Sequence, residues 1–149
     1  MLLKIPFACL LVVVTATIHA IGFGILLRAM MRTHALATSG FFPVTRFLIA
    51  LLCSLILIHS VEAFIWGLFY FWQGCLPTAE AAFYFSGGTY TTVGAGDLML
   101  PEPWRLFAPL EALTGILMGG LSTGLFFAVV SRWMSNWMQR EATLESTKP

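Results

Sequence analysis

Charge is what this chain has least of. Of its 149 residues only 10% are Asp, Glu, Lys or Arg, against 58% hydrophobic, and the formal net charge is +1. Soluble domains carry roughly a quarter of their residues as charges, so an aqueous setting for most of the surface is excluded and a lipid bilayer is implied. No run of like charge occurs, which points away from nucleic acid as a partner. Cysteine is scarce as well. Cys9 and Cys53 fall inside apolar stretches and leave Cys75 alone in a loop, so no intrachain disulfide framework is available. A lone thiol, or a bond between the Cys75 residues of neighbouring copies, are the uses left for it. No HExxH, no cysteine pair and no nucleophile beside a base is present, which argues against an enzyme. No helix repeats arginine at every third position, so a charge-bearing voltage sensor is missing too.

What is present is three apolar runs, from about Ile5 to Met30, from Val44 to Trp72 and from Trp104 to Trp133. At 1.5 Å per residue each can cross a hydrocarbon core of about 30 Å. The first resembles a signal peptide in having Lys4, an apolar stretch and the small Ala20, but its apolar character continues to Leu27, which predicts a retained helix. Arg28, Arg32 and Arg46 flank the link after it, which holds Thr33, His34, Thr38 and Ser39. The loop from Gln73 to Thr78 has no basic residue, and Arg132, Arg140 and Lys148 follow the third run. The bias of Lys and Arg towards the cytoplasm therefore predicts an external N-terminus and a cytoplasmic C-terminus.

Between the second and third runs, Pro77 and Thr78 read as a helix start, with Thr78 as N-cap and Glu80 in the first turn. Ala79 to about Gly88 is then a helix too short to cross the bilayer, so it must enter and return through protein. Directly after it stands Thr91-Thr92-Val93-Gly94-Ala95-Gly96-Asp97. Gly94 and Gly96 can take the positive φ needed when neighbouring carbonyls all point one way. A cation leaving water needs such a ring of oxygens. Thr92 adds a hydroxyl, while Val93 and Ala95 are expected to face away from the axis. One chain supplies one strand of the ring, which predicts a homotetramer of cyclic symmetry.

These residues carry a resemblance. From Ala79 to about Arg132 the chain resembles the pore module of the potassium-channel family, whose filter is usually written TVGYG and stands here as TVGAG. The resemblance implies an all-α membrane protein: three transmembrane helices with a re-entrant pore helix and an extended selectivity filter, assembled as a tetramer. It implies a filter of Thr92, Val93, Gly94, Ala95 and Gly96 that holds K+ as the permeant ion, with Na+ as the alternative. The partners expected are the lipid bilayer, permeant monovalent cations and the other copies of the chain. The expected location is the inner (plasma) membrane of a prokaryote. Residues 1–34 are assigned to an N-terminal helix and link, 35–136 to the pore domain and 137–149 to a short cytoplasmic tail. Three positions depart from the family pattern: Ala95 replaces an aromatic that braces the filter, Gly88 replaces a supporting side chain, and Tyr84 replaces a common Trp. Strict discrimination against sodium rests on that bracing.

Other side chains receive roles from position. Tyr84 is expected to reach Asp97, a hydroxyl-to-carboxylate bond behind the outer end of the filter, and Tyr90 to fill space left by Ala95. Glu111 is expected to bond the pore helix or the back of the filter. Gly115, Gly119, Thr123 and Phe127 recur every four residues, giving one face of the third helix to a cavity, with Gly115 as hinge and Phe127 as constriction. The pairs Gly115–Gly119 and Gly120–Gly124 also suit close helix packing. Glu80, Asp97 and Glu102, opposed by Arg105, would give the outer mouth a negative potential. His59 and Glu62, three residues apart, share a helix face. They either bond each other or another helix, or form a proton-responsive pair. His19 is expected to bond a neighbouring helix, and the first helix to pack outside the pore module without a central part in it. Two further readings stand beside the channel: a non-conducting regulatory subunit, and a metal or proton site at His19, His59 and Glu62 in an enzyme or transporter.

Overall fold

The computed structural model describes residues 4–32 and 41–146. The link holding Thr33, His34, Thr38 and Ser39, the boundary drawn after residue 34, and Lys148 lie outside the described residues. Four α-helices follow in order: α1 (Ile5–Arg32), α2 (Phe41–Trp72), α3 (Ala79–Tyr90) and α4 (Phe107–Ser146). No strand occurs among the described residues. Three stretches, Ile5–Arg32, Phe42–Trp72 and Glu102–Glu145, are long and apolar enough to cross a membrane. The chain is an all-helical, multi-pass membrane protein.

The helices start where the residues permit. Pro43 and Pro109 sit in first turns, where the missing N–H costs no hydrogen bond. Thr78 caps α3 as expected, its hydroxyl accepting from the Ala81 N–H at 3.1 Å. At the other end α3 passes Gly88 and runs to Tyr90, because the Thr91 N–H still finds the Gly87 carbonyl at 3.1 Å.

α4 exceeds its predicted end by more than three turns. Residues 133–146 are increasingly polar but contain neither Gly nor Pro, so nothing breaks the helix, and it runs unbroken across the expected start of the tail at 137. Forty residues make a rod of about 60 Å, twice the hydrocarbon thickness.

α3 is wedged between α2 and α4, burying Ala82, Phe85, Ser86, Thr89 and Tyr90. Trp66, Tyr70, Cys75, Phe85, Ala95 and Phe107 belong to the core around it, with Phe69 and Phe107 stacked at 5.4 Å. Lys4 lies over the Trp104 ring at 3.4 Å, tying the N-terminus of α1 to the segment that returns from the filter.

Cys75 is only 6% exposed. Burial raises its thiol above the ordinary pKa, against an opposing pull from Lys4. Both effects of enclosure, poor access and little thiolate, disfavour a disulfide between copies. Non-reducing and reducing electrophoresis of the air-exposed protein should therefore give the same pattern, and a Cys75-dependent dimer band would contradict this.

Candidate functional site

The segment after α3 does not run as a strand. Thr92, Gly94 and Gly96 have φ of 63°, 88° and 61°, while Val93 and Ala95 between them stay out of the positive region. In an ordinary strand successive carbonyls alternate sides. Alternation of left- and right-handed residues turns each peptide plane back, so successive carbonyls can face one direction. The two glycines adopt this freely. Thr92 does not: a β-branched residue at positive φ is a genuine outlier and stores strain of about 1–3 kcal/mol. Sequence reasoning anticipated the glycines and missed the threonine, because no residue-type preference announces a strained threonine.

Main-chain bonds hold the segment. The Gly94 N–H donates to the Gly88 carbonyl at 2.9 Å, and the Thr92 N–H to the Thr89 carbonyl at 3.0 Å. A Cβ at residue 88 would lie 2.7 Å from the Gly94 oxygen. Glycine at 88 is therefore the condition for a direct backbone tie between α3 and the segment that follows it, at the position where the resemblance implies a supporting side chain. Ala95 is buried as expected, whereas Val93 is 84% exposed in the single chain. Tyr90 shares the buried cluster with Ala95, but its hydroxyl is directed elsewhere.

Two buried carboxylates grip the inward face of α3. Glu111 of α4 accepts hydrogen bonds from Tyr70 at 2.7 Å and from Ser86. The Ser86 oxygen also lies 2.6 Å from the Ala63 carbonyl, so that hydroxyl is shared among three helices. Glu62 of α2 accepts from the Tyr90 hydroxyl and from His19 Nδ1, the latter at 2.9 Å. Ser86 and Tyr90 are four residues apart and so lie one turn apart on a single face. The bond from Glu111 to the pore helix follows the sequence expectation; Tyr70 and Ser86 as its partners were not foreseen.

His59 and Glu62 together reach both the first and the third transmembrane helix: Glu62 bonds His19 of α1, and His59 bonds Ser122 of α4. The His59 Nδ1 is 3.4 Å from Glu62 and 2.9 Å from the Tyr90 hydroxyl, and its Nε2 is 3.0 Å from Ser122 of α4. With Glu62 ionised, Tyr90 and His19 donate to the carboxylate and His59 Nδ1 donates to the Tyr90 oxygen, while the bond between His59 Nε2 and Ser122 can run in either direction. His19 Nε2 is then buried with no hydrogen-bond partner. The first helix packs on the outside of α2 and α4 as expected, and it adds one contact that its position alone does not announce. It delivers His19, 1% exposed, into a cluster that ends on the last residue of the pore helix.

Tyr84 does not take its expected place. Among the described residues it shares no hydrogen bond with Asp97 within one chain, and it is 62% exposed. It stands two residues from both Ala82 and Ser86, on the side of α3 opposite the buried face.

On α4, Gly115 is buried because a Cβ there would meet the Tyr90 carbonyl oxygen at 2.0 Å, and the helix is continuous across it. That is a packing demand for glycine at the position read as a hinge. A Cβ at Gly119 would meet nothing within 4 Å. Thr123 bonds back to the Gly119 carbonyl at 2.8 Å, and Phe127 is 70% exposed. A cavity of about 510 Å3 opens between α2, α3 and α4, bounded by His59, Tyr90, Thr91, Thr92, Gly115 and Gly119 among others. Beyond residues 92–97, Arg105 lies 3.8 Å from Glu102, an exposed contact that contributes little to stability.

A family model described as "Ion channel" matches residues 56–135, over half of the chain, from the middle of α2 through the filter segment to α4. No curated protein and no solved structure gives a match.

Proposed function

The chain belongs to the ion channel family, and on that premise we propose that four copies surround one axis and conduct potassium passively through the carbonyls of Thr92, Val93, Gly94, Ala95 and Gly96. The observation that carries this reading is the positive φ at every second residue from 92 to 96. It supports a column of oxygens able to replace the water around a monovalent cation. The Gly94 oxygen, which in the single chain sits against Gly88, and the Ala95 oxygen, which accepts from the Leu98 N–H at 3.2 Å, turn to the axis when four copies close around an ion. Three further features agree with it. The C-terminal end of α3, with its partial negative charge, immediately precedes the filter. Val93, apolar and exposed in one chain, gains cover from a neighbouring copy in a ring. Gly119, Thr123 and Phe127 leave one face of α4 free for the inner half of the pore, with Phe127 as its narrowing.

Preference for potassium over sodium requires a filter that holds its width. The tie between Gly94 and Gly88, and the carboxylates of Glu62 and Glu111 that hold α3 from α2 and α4, supply that bracing from main chain and from behind. Asp97, with no partner from Tyr84 of its own chain, remains exposed at the outer end and adds negative potential there.

The test is reconstitution of the purified chain in vesicles with opposed potassium and sodium gradients. A reversal potential close to that of potassium is expected. A value near zero would replace this reading with a pore passing both ions, and absence of any flux would leave a regulatory subunit.

A further inference from the structure

We propose that His19, His59 and Glu62 form a binding site for one divalent transition cation of the zinc class, and that its occupancy reduces conduction by freeing the base of the filter. The second half rests on the channel reading above; the first does not.

The three side chains come from two helices, and their ligating atoms all lie within 4.8 Å of one another. Ligands of a tetrahedral ion bonded at about 2.0–2.1 Å stand roughly 3.3 Å apart, so side-chain movements of about 1 Å suffice. Two imidazoles and one carboxylate make a three-ligand set that leaves a fourth position open. Nitrogen-rich sites of this kind favour zinc, copper or nickel, and they discriminate against magnesium and calcium, which demand oxygen.

A buried nitrogen without a partner points to a ligand here. His19 is 1% exposed and its Nε2 has no hydrogen-bond partner, an expensive arrangement for a buried polar atom. The surroundings are built for the purpose in a second way. Ser122 lies at 3.0 Å from His59 Nε2 and Tyr90 at 2.9 Å from Nδ1; the nitrogen that takes the ion gives up its partner, and the other keeps its own as the outer contact that orients a metal-bound imidazole. Access is available as well, since the His59 side chain is 22% exposed and reaches the wall of the cavity that also touches Thr91 and Thr92.

Coupling follows from competition for one carboxylate. Glu62 now holds the Tyr90 hydroxyl, and Tyr90 is the residue whose carbonyl packs on Gly115 and which stands two residues before Thr92. An ion that takes the Glu62 oxygens withdraws them from Tyr90. The filter then loses the anchor beneath its strained threonine.

The experiment uses the full chain in lipid nanodiscs, stripped with a chelator and titrated with Zn2+ by calorimetry, then with Co2+ by visible absorption. One ion per chain is expected, with d–d bands of a tetrahedral nitrogen and oxygen site and no thiolate charge-transfer band. H19Q and H59Q, each keeping a polar side chain in the cluster, should weaken binding by about tenfold to a hundredfold or more. In vesicles, Zn2+ should slow potassium efflux through the unaltered chain and not through H19Q. No binding, binding indifferent to both substitutions, or a thiolate band would overturn the site. Binding without any change in efflux would overturn the coupling. If metal-free vesicles carry no potassium at all, the channel reading fails while the calorimetry still decides the site.

Discussion

Alanine at position 115 should abolish most of the ion flux while alanine at 119 leaves it nearly intact. The two glycines lie one turn apart on the same stripe of α4, and both change by a single methyl group. At 115 that methyl would come within 2.0 Å of the Tyr90 carbonyl oxygen, whereas at 119 nothing stands within 4 Å. A backbone oxygen cannot swing aside as a flexible side chain can, so α3 and α4 must separate. Overpacking of this kind costs about 1–3 kcal/mol and sometimes more. Because Tyr90 ends the pore helix and the filter begins beside it, the displacement falls on the filter. Potassium efflux from reconstituted vesicles should drop by about tenfold or more in Gly115→Ala, because displacing the Tyr90 carbonyl moves the chain that leads into residues 92–96. Gly119→Ala should stay within about twofold, since surface changes away from such contacts are usually small. Equal losses in the two variants would mean that the stripe acts as a flexible hinge or as a common subunit contact, and that the carbonyl contact is not what matters.

The second large effect is expected at Glu111. Its carboxylate is fully buried and is the acceptor for both Tyr70 and Ser86. Glu111→Ala leaves the buried Tyr70 hydroxyl without an acceptor, while Ser86 keeps the Ala63 carbonyl and α3 loses its tie to α4. An orphan of this kind costs about 1–3 kcal/mol, so the protein should lose at least that much. Thermal unfolding of the detergent-solubilised protein would show this as a clear fall in midpoint. Glu111→Gln keeps one carbonyl oxygen and should cost markedly less. If the two variants unfold together at the midpoint of the unaltered chain, the carboxylate is not holding the pore helix.

The parts of this molecule that could be read from the chain were those set by local rules. Apolar length fixes three spans, and a Pro-Thr pair ahead of Glu80 fixes the start of α3, because a cap needs only its own neighbours. Gly94 and Gly96 announce positive φ because glycine alone takes it without strain. Glu111 was placed against the pore helix because a carboxylate at membrane depth must turn towards protein. The rest depends on how the helices are rotated about their axes, which periodicity in a uniformly apolar helix does not record. His19 could face lipid, α2 or α4 on its sequence; in the fold it faces Glu62. Tyr84 looked within reach of Asp97 along the chain, yet it sits on the far side of α3. Gly115 is open on its sequence to two readings, a hinge and a close-packing residue, and the partner that the second needs is a carbonyl supplied by another helix. The extension of α4 was hidden by polarity, which signals the end of the membrane and not the end of a helix.

The tie from residue 94 back to residue 88 joins main-chain atoms at both ends, so nothing in it can be spotted by comparing functional groups. What is inherited at that joint is a refusal: the gene must keep encoding nothing bulkier than a hydrogen atom at codon 88. A channel built this way hides one of its most exacting instructions at the position that seems to carry the least information.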